Sequence, residues 1–188
     1  MPNKFEPIDL HNVKIYPLAE RKSKISNKDF AKAWQKGASY ENFLDSLPDI
    51  LAGAQIKKVI SLITAAFENK KTVVFAMGAH VIKVGLNPIV IDLMERGIIT
   101  AVAMNGAGII HDLELALVGR TSEDVDASIV NGTFGMAHET CDAISYAVQK
   151  AGQNSIGLGE AVGRTIIEKE PAYQNQSILA AGDRLEIT

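Results

Sequence analysis

The sequence predicts an α/β fold in which helices flank a parallel sheet. Three observations lead there. Two short apolar runs rich in β-branched residues, TVVFAM (72–77) and IITAVAM (98–104), read as strands buried on both faces, because they lack a polar alternation. The segment between them carries helix start and stop signals. Almost everything after the second run reads as helix.

The elements follow in chain order. Residues 1–27 form an irregular arm with Pro2, Pro7 and Pro17 and a basic patch at Arg21, Lys22 and Lys24. Such charge runs are usually solvated, so the arm is expected to pack on the body or on a neighbouring subunit. From residue 28 onward the chain reads as one domain. Asn27 is placed to cap a short helix carrying Phe30, Ala33 and Trp34 on one face. A second helix is expected from Ser39 to about Leu47, stopping before Pro48. Ile56, Val59, Ile60, Ile63 and Phe67 then recur at the spacing of one helical face, which predicts a long amphipathic helix ending in ENKK. The first strand follows. Asn87-Pro88 opens the next helix, with Asn87 as cap and proline at the first helical position, and Gly97 suits its end.

Residues 72–104 therefore have the order and length of one βαβ unit, whose crossover should be right-handed and whose strands should be parallel neighbours. Beyond it come helices over about 109–118, from Ser122, along Ala137, Cys141, Ile144 and Val148, and along Leu158, Ala161, Val162, Thr165 and Ile166. A last segment near 174–185 precedes LEIT, which looks like the start of a third strand. A parallel sheet normally has more than two strands. The chain is therefore expected to be the front portion of a larger domain, truncated at the C-terminus, or to complete its sheet with another copy.

Composition narrows the function classes. The 188 residues are 47% hydrophobic and 22% charged, which suits one soluble domain or one and a half. The net charge of -3, with no basic stripe and no aromatics among Lys/Arg runs, argues against nucleic acid. No apolar run approaches the roughly 20 residues that span a bilayer. The N-terminal stretch lacks the apolar core of a signal peptide. The single cysteine, Cys141, excludes an internal disulfide framework and reads as core packing on a helix stripe. The sequon-like Asn131-Gly132-Thr133 then reads as accidental, and the expected location is cytoplasmic.

The chemistry should sit at the carboxyl ends of the strands, where open parallel sheets receive ligands. The loop after the first strand holds Gly78, Ala79, His80 and Lys83. The loop after the second holds Asn105, Gly106, Ala107, Gly108, His111 and Asp112. Small residues allow close approach of a ligand to the backbone, and each loop leads into a helix whose first N–H groups can bind phosphate. Neither loop has the G-x-G-x-x-G dinucleotide fingerprint. GLGEAVG (157–163) follows no strand, so Gly159 and Gly163 read as close helix packing. His80 and His111 are the candidate acid/base pair and Lys83 the charge-pairing or nucleophilic group. His11 and His138 read as structural. HDLE lacks the H-E-x-x-H spacing, so a metal-dependent hydrolase using His80, His111 and Asp112 is a rival reading.

The stretch GAHVIKVGLNPIVIDLMERGIITAVAMNGAGIIHDLELALVGRTSEDV, with the lead-in PLAERKSKISNKDFAKAW, DSLPDIL and the later GTFGMAHET, resembles the deoxyhypusine synthase family, most closely a bacterial branch of deoxyhypusine synthase-like proteins. The resemblance implies a Rossmann-like NAD-binding fold and a homotetramer with NAD near subunit interfaces. It also implies a transferase that oxidises spermidine with NAD and passes the aminobutyl group through a lysine imine to a protein lysine. The cofactor-binding positions it implies here are Gly78, Ala79, His80, Asn105, Gly106, Ala107, Gly108 and Asp112.

The departures are specific. His80 stands where the family has asparagine and Lys83 where it has serine. Ile110 and His111 replace paired glutamates. The family's imine lysine and polyamine-binding acids align beyond Thr188, so no residue here takes those roles. A polycation site wants carboxylates, and this rim carries a lysine and histidines instead, which suggests an anionic ligand. A catalytically inactive binding or assembly module is the other rival.

Overall fold

A computed structural model describes residue 5 and residues 8–187. Pro2, Pro7 and Thr188 lie outside the described residues. The chain divides into two compact units, Met1–Ile60 and Ser61–Thr188.

The first unit has little interior, and none of its helical residues is buried. Ser26, one residue ahead of the expected Asn27, caps a single 3-10 turn (Asn27–Asp29), and Asp29 reaches back to the Ser26 N–H at 2.7 Å. The expected helix through Ala33 and Trp34 does not form, and Phe30 is exposed. α1 (Tyr40–Ser46) matches its expectation, with a reciprocal Ser39–Asn42 capping box. α2 (Leu51–Glu68) is the long amphipathic helix, and the boundary between the units falls within it. Lys57 ties α2 to the preceding turn, donating to the Leu47 carbonyl at 2.8 Å and to Asp49 at 2.7 Å. The Lys57 ammonium holds the Asp49 carboxyl below its ordinary value.

The second unit contains a mixed helix/sheet fold with a small parallel sheet. β1 (Val74–Met77) is followed by a single helical turn, α3 (His80–Lys83), then α4 (Asn87–Glu95) and β2 (Ala101–Met104). The strands pair in parallel, Val74 with Ala101 through Met77 with Met104. After β2 come α5 (Gly106–Val118), α6 (Val125–Val130), α7 (His138–Asn154), α8 (Leu158–Lys169) and α9 (Ile178–Arg184).

Two core clusters hold this unit together. In the first, Phe75, Met77, Val102 and Met104 meet Val90, Ile91, Met94, Ile99 and Ile178. In the second, Leu113 and Ala116 of α5 pack against Ala143 and Ala147 of α7, Val162 and Ile166 of α8 and Ala180 of α9. Full burial of such a Leu or Ile contributes roughly 1.5–3 kcal/mol.

Four sequence expectations change. The strands are not buried on both faces: Val74, Ala76 and Ala103 are exposed, and helices cover only the opposite side. LEIT forms no strand among the described residues; Glu186 takes positive φ, and Ile187 turns back onto the first cluster. The helix expected from Ser122 starts later, at Val125, where Asp124 accepts the Ala127 N–H. On α7 the buried stripe is Ala143 and Ala147, so Cys141 is exposed and not in the core.

α8 follows its expected stripe. A Cβ on Gly163 would lie 3.1 Å from the Leu179 carbonyl carbon and 3.2 Å from Asp183 Cβ, so this glycine is what lets α8 and α9 touch.

Candidate functional site

A cleft of about 550 Å³ opens in the second unit. The turn after β1 contributes Lys83, and the helix after β2 contributes Ala107, Ile110, His111 and Glu114. The opposite wall comes from Ser122, Glu123 and Val125, from Phe134, and from Thr140, Cys141 and Ile144 on α7. The end of α3 and the start of α5, the segments that follow the two strands, therefore share one cavity, while Gly78, Ala79 and Asn105 line neither this cleft nor the second one described below.

Its polar floor is a connected set. His111 Nδ1 lies 2.6 Å from Thr121 Oγ1, and Thr121 donates its hydroxyl to Glu114 Oε2. Thr140 donates to Glu114 Oε1 at 3.4 Å, and Glu114 Oε2 is 3.6 Å from His111 Nδ1. Both side chains are 19% exposed, which places them at the cleft surface and partly sheltered. Glu123 is engaged by the Gly135 N–H at 2.7 Å. Among the described residues Lys83 pairs with no carboxylate, and it shares the cleft with Glu114 and Glu123, whose donors are neutral hydroxyls and a backbone N–H. α7 begins at the rim, and its cap, Ala137, offers no side chain to the first N–H groups.

The other expected residues are placed as follows. His80 starts α3, is exposed, and lines neither this cleft nor the second one described below; His80 and His111 are not brought together as a pair. Gly78 and Gly106 are open, with nothing within 4 Å of an added Cβ, whereas Ala79 is half-buried. Asn105 caps α5, accepting the Gly108 N–H at 3.1 Å. Gly108 is buried beneath Met104, whose sulfur would lie 3.0 Å from a Cβ there. Its small size therefore serves packing and not ligand approach.

Asp112 is corrected most sharply. It is fully buried and faces away from the cleft. Its Oδ1 accepts from Asn87 Nδ2 at 3.0 Å and Ile178 N at 2.9 Å. Its Oδ2 accepts from Ser177 Oγ at 2.6 Å and Leu179 N at 3.0 Å. This carboxylate ties α5 to the start of α9 and to α4. Burial pushes its pKa above the ordinary value, against the pull of the four donors. Asn87 accordingly does not cap α4: its amide points inward to Asp112 and to the Gln176 carbonyl at 2.8 Å.

The metal reading loses its donors, since His80 lies elsewhere and Asp112 is spent. Among the described residues no group of three His, Cys, Asp or Glu side chains is arranged to hold an ion. Thr121 and Thr140 were missed from sequence, and Glu114 was read only as a conceivable metal ligand beside His111 and Asp112. Glu114 stands one turn from His111 at i+3, the one available signal.

A second cleft of about 830 Å³ lies along β2, α8 and α9, floored by Val102, Met104 and Ile178. In it Arg164 bridges Glu160 at 2.5 Å and Asp183 at 3.2 Å. Gly106 opens on this side of α5 and Ala107 on the other. Among the described residues no helix is long and apolar enough to cross a membrane. No protein-family model and no curated protein matches this chain.

Proposed function

We propose that the chain is a deoxyhypusine synthase-like protein of Rossmann-like architecture that binds NAD and carries an anionic small metabolite in the cleft, in place of a polyamine. The observation that carries this reading is that the segments after both strands share one cavity, to which the first contributes the Lys83 ammonium, unpaired with any carboxylate among the described residues.

NAD is compatible with the residues present. The open backbone at Gly78 and Gly106 leaves room that a side chain would fill. Gly106 and Ala107 begin α5 ahead of its first intrahelical bonds, where N–H groups favour a pyrophosphate. Gly78, Ala79, Asn105, Gly106 and Ala107 would hold the dinucleotide; Gly108 and Asp112 are committed to packing. The group would supply a hydride acceptor. The protein's part is to position the substrate, with Lys83 pairing its anionic end and Ile110, Phe134 and Ile144 excluding water. In the partly desolvated cleft such a pair is stronger than on an open surface.

Assembly from several copies belongs to the same reading. It is supported by the exposed face at Val74, 59% accessible, and by α2, which has no buried residue. Light scattering on purified protein tests it.

Thermal-shift titration tests the ligand. A ligand at about 100 times its dissociation constant adds roughly 2.7 kcal/mol. NAD and anionic metabolites should raise the melting temperature, and Lys83→Met should remove the anion's shift. A larger shift from spermidine, indifferent to Lys83→Met, would refute the reading.

A further inference from the structure

We infer that His111 is a general base acting through Nε2, held in that form by Thr121 and Glu114. The inference rests on the ligand reading above, and it supplies the proton-accepting group of the cleft.

The direction of the hydrogen bonds decides the tautomer. Thr121 has one hydroxyl proton, and it goes to Glu114 Oε2. Thr121 Oγ1 can then only accept from the imidazole at 2.6 Å, so the His111 proton sits on Nδ1. The neutral ring keeps its lone pair on Nε2, which has no hydrogen-bond partner among the described residues. Exposed imidazoles in water favour the opposite tautomer, so this form is imposed.

The arrangement suits a base. When the O–H or N–H of a substrate ionises, the bond's electron pair stays on the substrate heteroatom and the proton passes to Nε2. The Nδ1–H bond to Thr121 is the same before and after, so nothing on that side must reorganise. The imidazolium that forms lies 3.6 Å from the Glu114 carboxylate. His111 is the group that meets substrate. Thr121 and Glu114 are positioning residues, and Thr140 steadies Glu114 from α7. The substrate class follows: a small molecule with an ionisable alcohol or amine near the imidazole and an anionic group for Lys83.

The test is nitrogen NMR on the full chain labelled at histidine, without ligand, in buffer well above the ordinary imidazole range. Four ionisable groups share the cleft with the ring: Glu114 on α5, Lys83 on α3, Glu123 ahead of α6 and Cys141 on α7. His111 should show a protonated Nδ1 and a bare Nε2, while exposed His80, whose ring has no hydrogen-bond partner among the described residues, shows the reverse. Thr121→Val should return His111 to the ordinary tautomer, and Thr121→Ser should restore the imposed one. An Nε2–H form of His111 in the unsubstituted protein overturns the inference and leaves the ligand reading standing. The expected tautomer in a protein that binds neither NAD nor any anionic metabolite overturns both the reading and the catalytic role, and reduces the bond to a structural one.

Discussion

Removing the Asp112 carboxylate should damage the second unit more than any change in the cleft. Asp112→Ala would leave four donors, from Asn87, Ser177, Ile178 and Leu179, without their acceptor in a fully buried place. Each orphaned donor costs about 1–3 kcal/mol taken singly. The losses overlap because the groups share one site, so the total falls below the sum of four, at about 3–5 kcal/mol. At this size that is a fall of roughly 6–20 °C in melting temperature.

Asp112→Asn is the informative partner. Its carbonyl can keep Asn87 and Ile178, and its amide can donate to Ser177 Oγ, but Leu179 N–H then faces another donor. Ser177 Oγ, which already accepts the Ala180 N–H, then has no acceptor for its own proton, so the Ser177 hydroxyl and the Leu179 N–H are both orphaned, an overlapping loss of about 2–4 kcal/mol. Chemical denaturation of both variants at neutral pH, with equal slopes against denaturant, measures the two losses. An alanine variant that loses less than about 1 kcal/mol would show that the donors find other partners or water, below the cost of even one orphan.

Three further outcomes follow. The wild type and Asp112→Asn should differ most in acid. Burial raises the Asp112 pKa, so the folded state holds this proton more tightly than the unfolded chain; the stabilisation is complete below the ordinary value of 3.8 and fades as pH rises through the raised one. Denaturation of both proteins across that window should show the gap narrowing upward, and a widening gap would reverse the sign. Gly163→Ala should cost about 1–3 kcal/mol by forcing α8 from α9. Gly159→Ala, where Leu179 Cδ2 is at an ordinary 3.9 Å, should be neutral or gain up to about 1 kcal/mol from helix propensity. Carbon-detected NMR titration should find the Asp49 carboxyl below its ordinary value in the wild type and back at it in Lys57→Met.

Periodic elements were legible in the sequence because their signals are local. The stripe of α8, the start of α1 at Ser39, and the two apolar runs that become β1 and β2 are each marked by residues within a few positions of one another. The failures came where a distant partner decides. Apolar strands read as buried on both faces because periodicity reports hydrophobicity, not whether a covering layer exists. Cys141 read as core because an alanine pair two and six positions on, with little side-chain bulk to mark it, is what α7 buries. Asn87 read as a cap because Asn-Pro is a common helix opening, but the buried Asp112 competes for its amide across 25 positions and wins.

The candidate site shows the same division at the scale of one dipeptide. His111-Asp112 reads as a functional pair because the residues adjoin. On a helix, consecutive side chains diverge by about 100°, so neighbours in sequence need not share a face. α5 places His111 and Glu114 toward the cleft and turns Asp112 and Leu113 into the core. The acid that works with the histidine is therefore the one a turn away, through a threonine beyond the helix end that no spacing rule links to either. The adjacent acid holds the helix that presents them. Ligand chemistry at His111 and stability at Asp112 should consequently separate: Thr121→Val should alter the tautomer while leaving the melting temperature nearly unchanged, and substitutions at Asp112 should do the reverse until the fold gives way.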